Sequence, residues 1–262
     1  MYLNSELFLR RAFVMLIKRV LLLLAIAFPT PAFSQNDWDV MTTFYAWFPG
    51  ASTTVEIPLG EIEADADFGD IVDSLDMAFF GAIDARNGRW SLTADLLFAD
   101  LETEDASPLG GMFSLVKVES RVTMLSAYTS YAVIDGPNTR FELGSGARYT
   151  DAAIETRLVG LSDTPSASYT DDGGWVDLVI AARLHRNYGP KLYGVAFGEV
   201  GGFGIGDSAD LTWQAFGGVG YRINDRWSVL GGYRELSIER EFGPTDVDAK
   251  LSGPVLGLQT PF

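Results

Sequence analysis

Apolar and polar residues alternate along most of the chain, and this alternation predicts strands with almost no helix. In the segment 213–222, Trp213 and Tyr221 lie on one predicted face, while Gln214 and Arg222 lie on the other. A repeat of two residues is the period of a β-strand. The same pattern recurs and predicts ten strands, at 38–47, 76–86, 89–101, 113–131, 140–149, 174–186, 191–201, 209–222, 226–239 and 250–262.

The connections between these strands alternate between short and long. Short connections with tight-turn residues fall at 87–88, 135–138, 187–190 and 224–225. Long connections fall at 48–75, 102–112, 150–173, 202–208 and 240–249. An even number of strands, with short turns at one end and long loops at the other, is typical of a transmembrane β-barrel.

The two faces of the predicted strands differ in charge. In the segment 174–186, the face with Leu178 and Ile180 is uncharged, whereas the opposite face carries Asp177 and Arg183. An uncharged outer face suits lipid and a polar inner face suits a lumen. Because an open sheet in lipid would leave its edge amides without partners, the sheet must close. The sequence therefore predicts an all-β fold, an antiparallel up-and-down transmembrane β-barrel of ten strands, with eight strands as the alternative.

The charged residues of the inner face predict an ion-pair network in the lumen. Its members are Asp84, Arg86, Asp95, Lys117, Glu119, Arg121, Glu142, Arg148, Asp177, Arg183, Glu199, Arg222 and Arg234. A barrel of eight or ten strands is little wider than its own side chains, so nearly balanced charges predict a plugged, barely conducting lumen. A small pore is the alternative.

Aromatic residues follow three of the short turns. Trp90 and Trp227 stand in the related segments NGRWSL and NDRWSV, and Phe141 has the corresponding place after DGPN. Rings at this level of a membrane barrel form an interfacial girdle. The alternative is that they are ordinary core aromatics beside hairpin turns.

The beginning of the chain resembles an export signal. Basic residues at 10, 11, 18 and 19 precede the apolar run 20–28, and small residues around Ser34 follow. This order predicts a signal peptide over residues 1–34, cleaved after Ser34, and a barrel domain over residues 35–262. The apolar run is short for a membrane-anchoring helix, which is the weaker alternative. Met15 is an alternative start and also begins a compact signal.

Composition narrows the function classes. The chain has no cysteine, which excludes disulfides, thiolate metal sites and a cysteine nucleophile. The formal net charge is −16, and loss of residues 1–34 would make it about −19, which argues against nucleic acid as a partner. No cofactor motif is found: the glycine-rich segment 201–207 precedes a strand and has no lysine to cradle a phosphate.

The acidic excess is concentrated in the predicted long loops. Residues 49–76 contain eight acidic residues and no Lys or Arg, and residues 100–112 add four more acids. An acidic rim attracts cations, so divalent cations are candidate partners of the acidic loops. The segment 65–76 has acids at three positions of a calcium-loop spacing, but Asp70 replaces the glycine that the loop needs. A solvated acidic surface is the favoured interpretation.

Catalytic chemistry is weakly represented. His185 is the only histidine, and it lies close to the predicted short turn at Asn187, where a lumen hydrogen bond is a simpler role than general base catalysis. Glu102 and Glu104 lie among other acids, without an apolar pocket that would make one of them an acid and the other a base in catalysis. The sequence therefore predicts no enzyme. A membrane-embedded hydrolase and a soluble secreted ligand-binding barrel are the alternatives.

The chain ends in GPVLGLQTPF, residues 253–262, an alternating strand closed by an aromatic residue. With the export signal and the one-sided loops, the chain resembles small bacterial outer-membrane β-barrel proteins of the OmpA-like and OmpW-like kind. The resemblance implies that Phe262 is the signal read by the barrel-assembly machinery and that the protein lies in the Gram-negative outer membrane, in contact with its lipid. It also implies a structural or surface-interaction role, or limited passage of small solutes. Pro254 and Pro261 depart from the pattern because they interrupt a strand ladder.

Overall fold

The computed structural model describes residues 38–57, 60–66, 68–73, 75–106, 113–160, 165–242 and 245–262. The predicted signal peptide and its cleavage site fall outside these residues and stay predictions. Within the described ranges, no helix has both the length and the hydropathy that crossing a membrane requires.

The described residues form strands throughout, with one short helix. In chain order the elements are β1 (Asp39–Trp47), β2 (Gly50–Ile57), β3 (Gly60–Ala66), α1 (Phe68–Asp73), β4 (Leu75–Asn87), β5 (Trp90–Ala106), β6 (Phe113–Asp135), β7 (Thr139–Gly160), β8 (Ala167–Asn187), β9 (Leu192–Gly202), β10 (Leu211–Arg222), β11 (Ser228–Phe242) and β12 (Thr245–Pro261). Ten of these strands form a ring in the order β1, β4, β5 and onward to β12. The ring closes because β1 pairs with β12 in antiparallel register from Met41↔Pro261 to Trp47↔Val255. The predicted ten-stranded closed barrel is confirmed.

The first long connection is more ordered than the sequence predicts. Residues 48–75, expected to be irregular, contain the hairpin β2–β3 and the helix α1. After Phe48 and Pro49, β2 continues the path of β1 along β12. Phe48 donates its N–H to Pro254 O at 3.0 Å. A Cβ on Gly253 would lie 2.0 Å from Phe48 O, so only glycine fits opposite this irregular step.

Several strands are also longer than expected at the end away from the tight turns. Strand β7 reaches Gly160 and β8 begins at Ala167, where the alternation predicts a loop over 150–173. Residues 102–106 of the predicted acidic loop 102–112 likewise belong to β5. At this end of β5, residues 102–105 are polar on both faces, so the hydrophobic alternation disappears while the backbone ladder continues. The acids Glu102, Glu104 and Asp105, expected in a loop, therefore lie on the end of β5.

The two faces of the wall are as the alternation predicts. On β8, Val176, Leu178 and Ile180 point outward and are 53%, 55% and 59% exposed. The residues between them, including Asp177 and Val179, are buried in the lumen. Since charge is inside and the apolar belt is outside, the wall has the polarity of a membrane barrel.

The predicted girdle residues lie at the tight-turn end of the barrel. Trp90 and Trp227 are exposed on the outer face, and Trp90 packs edge-on against Tyr131 with ring centroids 5.1 Å apart. Phe141, near the start of β7, is half-buried. Their placement fits a girdle, and their role at a lipid interface stays a prediction.

The C-terminal strand keeps its register through both prolines. Pro254 pairs with Tyr233, and Pro261 is the last strand residue, opposite Met41. Phe262 donates its N–H to Val40 O at 2.9 Å, while its side chain is fully exposed. The backbone of the terminal residue is thus held by β1 and its ring is free for other contacts. Recognition of this ring by the assembly machinery stays a prediction.

Candidate functional site

The lumen carries the polar chemistry of this protein and has two unlike halves. We call the half toward the long hairpins the upper lumen and the half toward the tight turns the lower lumen. An apolar cluster forms part of the upper lumen, with Trp47, Leu97, Met124, Leu236 and Val255 all buried. These side chains come from five different strands and meet across the barrel axis, so they fill the lumen rather than line it.

A buried ion pair completes this layer. Arg148 of β7 pairs with Glu199 of β9, and Arg148 is 0% exposed. The Tyr128 hydroxyl donates to the same glutamate. Arg148 also donates to Thr212 Oγ1 at 2.9 Å and to Ser126 Oγ at 3.4 Å. A buried charge with this many partners is held in one place.

Further up, the loop between β9 and β10 is held against the lumen wall. Asp177 accepts hydrogen bonds from Trp175 Nε1 at 3.0 Å and from the backbone N–H of Ala209 at 2.8 Å. Ala209 is fully buried, so the loop between β9 and β10 is tied to an inward-facing side chain of β8. The Arg240 guanidinium carbon lies 4.2 Å from the centroid of the Trp175 ring.

The upper lumen leaves no room for a water-filled path among the described residues. Buried side chains face the lumen here from nine strands of the ring: Trp47, Leu97, Met124, Arg148, Val179, Glu199, Thr212, Leu236 and Val255. The tenth strand, β4, contributes Phe80, which packs against the apolar cluster. Because a channel must expose the side chains that line it, the described lumen is closed at this level.

The lower lumen holds a cavity of about 460 Å³. Its lining includes the exposed turn residues Asp135, Gly136 and Asn138, so it opens at the tight-turn end. Its inner wall is organised by the ion pair of Asp84 with Arg183. Thr93 donates to Asp84 at 2.7 Å and accepts from Arg183 at 3.1 Å.

The roof of this cavity is a second polar group. Tyr45 donates to Asp95 Oδ1 at 2.8 Å. Arg234 donates to the Tyr45 hydroxyl at 3.0 Å and to Gln214 Oε1 at 2.8 Å. The same guanidinium lies 4.9 Å from the ring centroid of Trp47, the first residue of the apolar cluster above. Arg234 therefore joins the lower lumen to the closed layer.

Two clusters form the mouth. In the first, Arg140 pairs with Asp135 at 2.9 Å and with Glu142 at 2.7 Å, and Ser91 donates to Glu142 at 2.5 Å. The second cluster comprises Arg222, Asn187, Tyr193, His185 and Gln259. Arg222 donates to Asn187 Oδ1 at 2.7 Å and lies 4.7 Å from the Tyr193 ring centroid. The His185 ring stacks on the same Tyr193 ring, with the two ring centroids 5.1 Å apart.

Ten residues of the predicted ion-pair network face the lumen and three do not. The ten are Asp84, Arg86, Asp95, Glu142, Arg148, Asp177, Arg183, Glu199, Arg222 and Arg234. Lys117, Glu119 and Arg121 lie on the outer face of β6. The reason is register: Met124, Ser126 and Tyr128 are the buried residues of β6, and pairing with β7 is unbroken from Leu115 to Tyr131, so odd positions point outward.

These three outward residues pair with neighbours on the same face of the wall. Lys117 contacts Glu102 at 2.8 Å and Glu119 at 3.6 Å, and Arg121 contacts Asp100 at 2.8 Å. The pairs stand on strand sections beyond the apolar belt. They are partly exposed surface pairs and take no part in closing the lumen.

Sequence reasoning missed the polar role of the inward aromatic residues. Tyr45, Tyr128 and Tyr193 each donate a hydrogen bond inside the lumen, and Trp175 does the same. Alternation was an available signal for Tyr193 and Trp175, since they have the parity of Glu199 and Asp177 on their own strands. The plug is therefore made of aromatic and aliphatic side chains as much as of ion pairs.

The acidic segment 65–76 adds little to the site. Most of its side chains fall outside the described residues, and so does the calcium-loop spacing considered in the sequence. Within the described part of the chain, no three His, Asp or Glu side chains are grouped as a metal ion would need.

Comparison with known proteins identifies the class of fold. No protein-family model and no curated protein sequence matches this chain. Among solved structures, the outer membrane protease OmpT from Escherichia coli aligns with a TM-score of 0.55 and 9% identity, over 87% of this chain and 99% of that chain. The translocator domain of the autotransporter NalP from Neisseria meningitidis aligns with a TM-score of 0.51 and 12% identity, over 97% of each chain. The chain has the fold of an outer-membrane β-barrel.

Proposed function

We propose that this chain is an integral β-barrel of the Gram-negative outer membrane, exported through the periplasm. The support is physical: an uncharged outer belt that includes Leu178 and Ile180 surrounds a charged interior. Exposing such a belt to water would be unfavourable, whereas lipid matches it. In this setting the partners are outer-membrane lipid and, through Phe262, the barrel-assembly machinery.

Its role is structural or one of surface contact, without bulk transport. The observation that carries this proposal is the closed upper lumen, where Arg148 and Glu199 are locked together beside a packed apolar cluster. The sections of β5 to β8 beyond the belt would then present charged side chains, such as the pair Arg121–Asp100, to the cell exterior. Limited passage of small solutes is the second candidate, favoured by the cavity in the lower lumen.

The decisive experiment measures conductance. Purified protein should require detergent, migrate faster on a gel before boiling than after, and give no steady current in a planar bilayer. A general porin in the same bilayer serves as the positive control, and the boiled protein as the negative one. A large steady current from the unboiled protein would refute the closed lumen, while a monodisperse protein without detergent would refute the membrane location.

We also propose that the protein is not an enzyme. His185 stacks on Tyr193 at the mouth of the lower lumen, and the described hydrogen bonds include none between a serine hydroxyl and this ring. A membrane-embedded hydrolase would need a nucleophile within reach of its base. An ester or peptide hydrolase activity that is lost in His185→Ala, with the gel shift retained, would contradict this proposal.

A further inference from the structure

We propose that the lower lumen is a binding site for a small organic anion, a carboxylate on an aromatic body, that enters from the tight-turn end. The cavity has the size of a small-molecule site, about 460 Å³. Because it is closed above, a ligand would enter and leave by the same mouth. The inference rests on the proposed function only for the compartment that supplies the ligand, which would be the periplasm.

Charge is the first argument. Five arginines line the cavity, namely Arg86, Arg140, Arg183, Arg222 and Arg234, against three aspartates, Asp84, Asp95 and Asp135, and the mouth glutamate Glu142. This local positive excess stands inside a chain whose formal net charge is −16. A concave wall of low polarisability concentrates such a field, so the cavity should attract anions although the protein as a whole repels them.

The second argument is that part of this charge is not neutralised by the protein. Among the described residues, no carboxylate lies within ion-pair distance of Arg86, Arg222 or Arg234, whereas Arg183 has one such partner and Arg140 has two. Arg86 Nε is buried, and no described protein group accepts its hydrogen. A buried guanidinium donor without an acceptor is unfavourable, and a carboxylate is the acceptor that it prefers.

Position is the third argument. Arg86 is the penultimate residue of β4, Arg222 is the last residue of β10, and both line the cavity beside His185. All three stand at the lower rim, where a ligand would arrive. Arg222 already lies against the Tyr193 ring, an arrangement that keeps its planar donors directed and available.

The body of the ligand follows from the remaining walls. Tyr45, Tyr193, Phe197 and Phe216 line the same cavity and present ring surface. Small-molecule sites combine such apolar walls with a few polar groups that fix orientation. A ring that carries one carboxylate can place the ring between these walls and the carboxylate on the arginines at the rim.

The test uses benzoate as the probe and the full-length barrel folded in micelles. Calorimetric titration should show saturable binding of benzoate, while benzyl alcohol, the neutral analogue of similar size, binds at least about tenfold more weakly, a difference of about 1.4 kcal/mol. The double variant Arg86→Gln/Arg222→Gln should lose benzoate binding by a similar factor. Arg121→Gln is the matched control, because it removes an arginine from the outer face and should bind as the wild type does.

A second measurement tests the location of the site. The chain contains no cysteine, so Ser228→Cys at the cavity lining gives a single labelling position. Benzoate should slow its reaction with a maleimide, and benzyl alcohol should not. The absence of saturable benzoate binding up to about 10 mM, equal loss in Arg121→Gln, or unprotected labelling would each overturn the proposal. Gel shift and conductance on the same sample distinguish this failure from a failure of the proposed membrane role.

Discussion

The upper and lower halves of the lumen contain the same types of residue, but arginine has a different role in each half. In the upper lumen, Arg148 is fully buried and satisfied by Glu199, Thr212 and Ser126. In the lower lumen, Arg222 faces a cavity and has an amide and a backbone carbonyl as its partners. An arginine in this lumen therefore either stabilises the closed layer or is available to bind a ligand. Its burial and the nature of its partner determine which role it has, whereas the number of charges does not.

The largest expected effect comes from breaking the buried ion pair of the upper lumen. Glu199→Gln should lower the free energy of unfolding by about 3–5 kcal/mol, because it leaves the buried Arg148 without its counter-charge. The matched change in the lower lumen is Asp84→Asn, opposite Arg183. It should cost less, about 1.5–3 kcal/mol, because water in the cavity can solvate the arginine that remains. Urea unfolding of the folded barrel, followed by tryptophan fluorescence, measures both.

Two comparisons test this difference between the upper and lower lumen. The double variant Arg148→Met/Glu199→Leu removes both charges and should recover most of the stability that Glu199→Gln loses. If Glu199→Gln and Asp84→Asn cost the same, the two halves of the lumen do not differ in hydration and the comparison is wrong.

The sequence was sufficient to predict which face of most strands looks inward. On β8, Asp177 and Arg183 alternate with Leu178 and Ile180, and the structure places them as that alternation requires. A side chain's parity is a local property, so it can be read without knowledge of the barrel. Parity cannot tell which inward residues meet, because that depends on strand stagger around the ring.

The next effect concerns the apolar part of the plug. Leu236→Ala should cost about 2–5 kcal/mol, because Leu236 is 1% exposed within a packed cluster and its loss leaves a void. Leu230→Ala on the same strand and face is the control. Leu230 lines the cavity of the lower lumen, so truncation only enlarges an existing space and should cost about 2 kcal/mol or less. A larger loss in Leu230→Ala than in Leu236→Ala would contradict a packed upper lumen.

What the sequence could not supply lies beyond the apolar belt. Lys117, Glu119 and Arg121 alternate with valines, and this alternation predicts a charged lumen face on β6. Beyond the belt the charged face is the outer one, and Val122 on the opposite face packs against the apolar cluster inside. Alternation separates the two faces of a strand but does not tell which of them is inward there. The hairpin β2–β3 was missed although Glu61, Glu63 and Asp65 alternate with apolar residues, because their acidic character favoured a solvated loop. The pairing of β2 with β12, a partner about 200 residues away in sequence, is not visible locally.

The smallest effect sharpens the comparison at the mouth of the lower lumen. A Cβ on Gly220 would lie 2.0 Å from the Tyr193 ring, whereas a Cβ on Gly217 of the same strand meets nothing within 4 Å. Gly220→Ala must displace Tyr193 and should cost about 1–3 kcal/mol. Gly217→Ala should stay within about 0.5 kcal/mol of the wild type, because an outward methyl meets only lipid.

Tyr193 supports both His185 and Arg222, so Gly220→Ala should also weaken benzoate binding while Gly217→Ala leaves it unchanged. Equal binding by the two variants would show that the position of Arg222 does not depend on Tyr193, and that the lower lumen is held by its strand backbone alone.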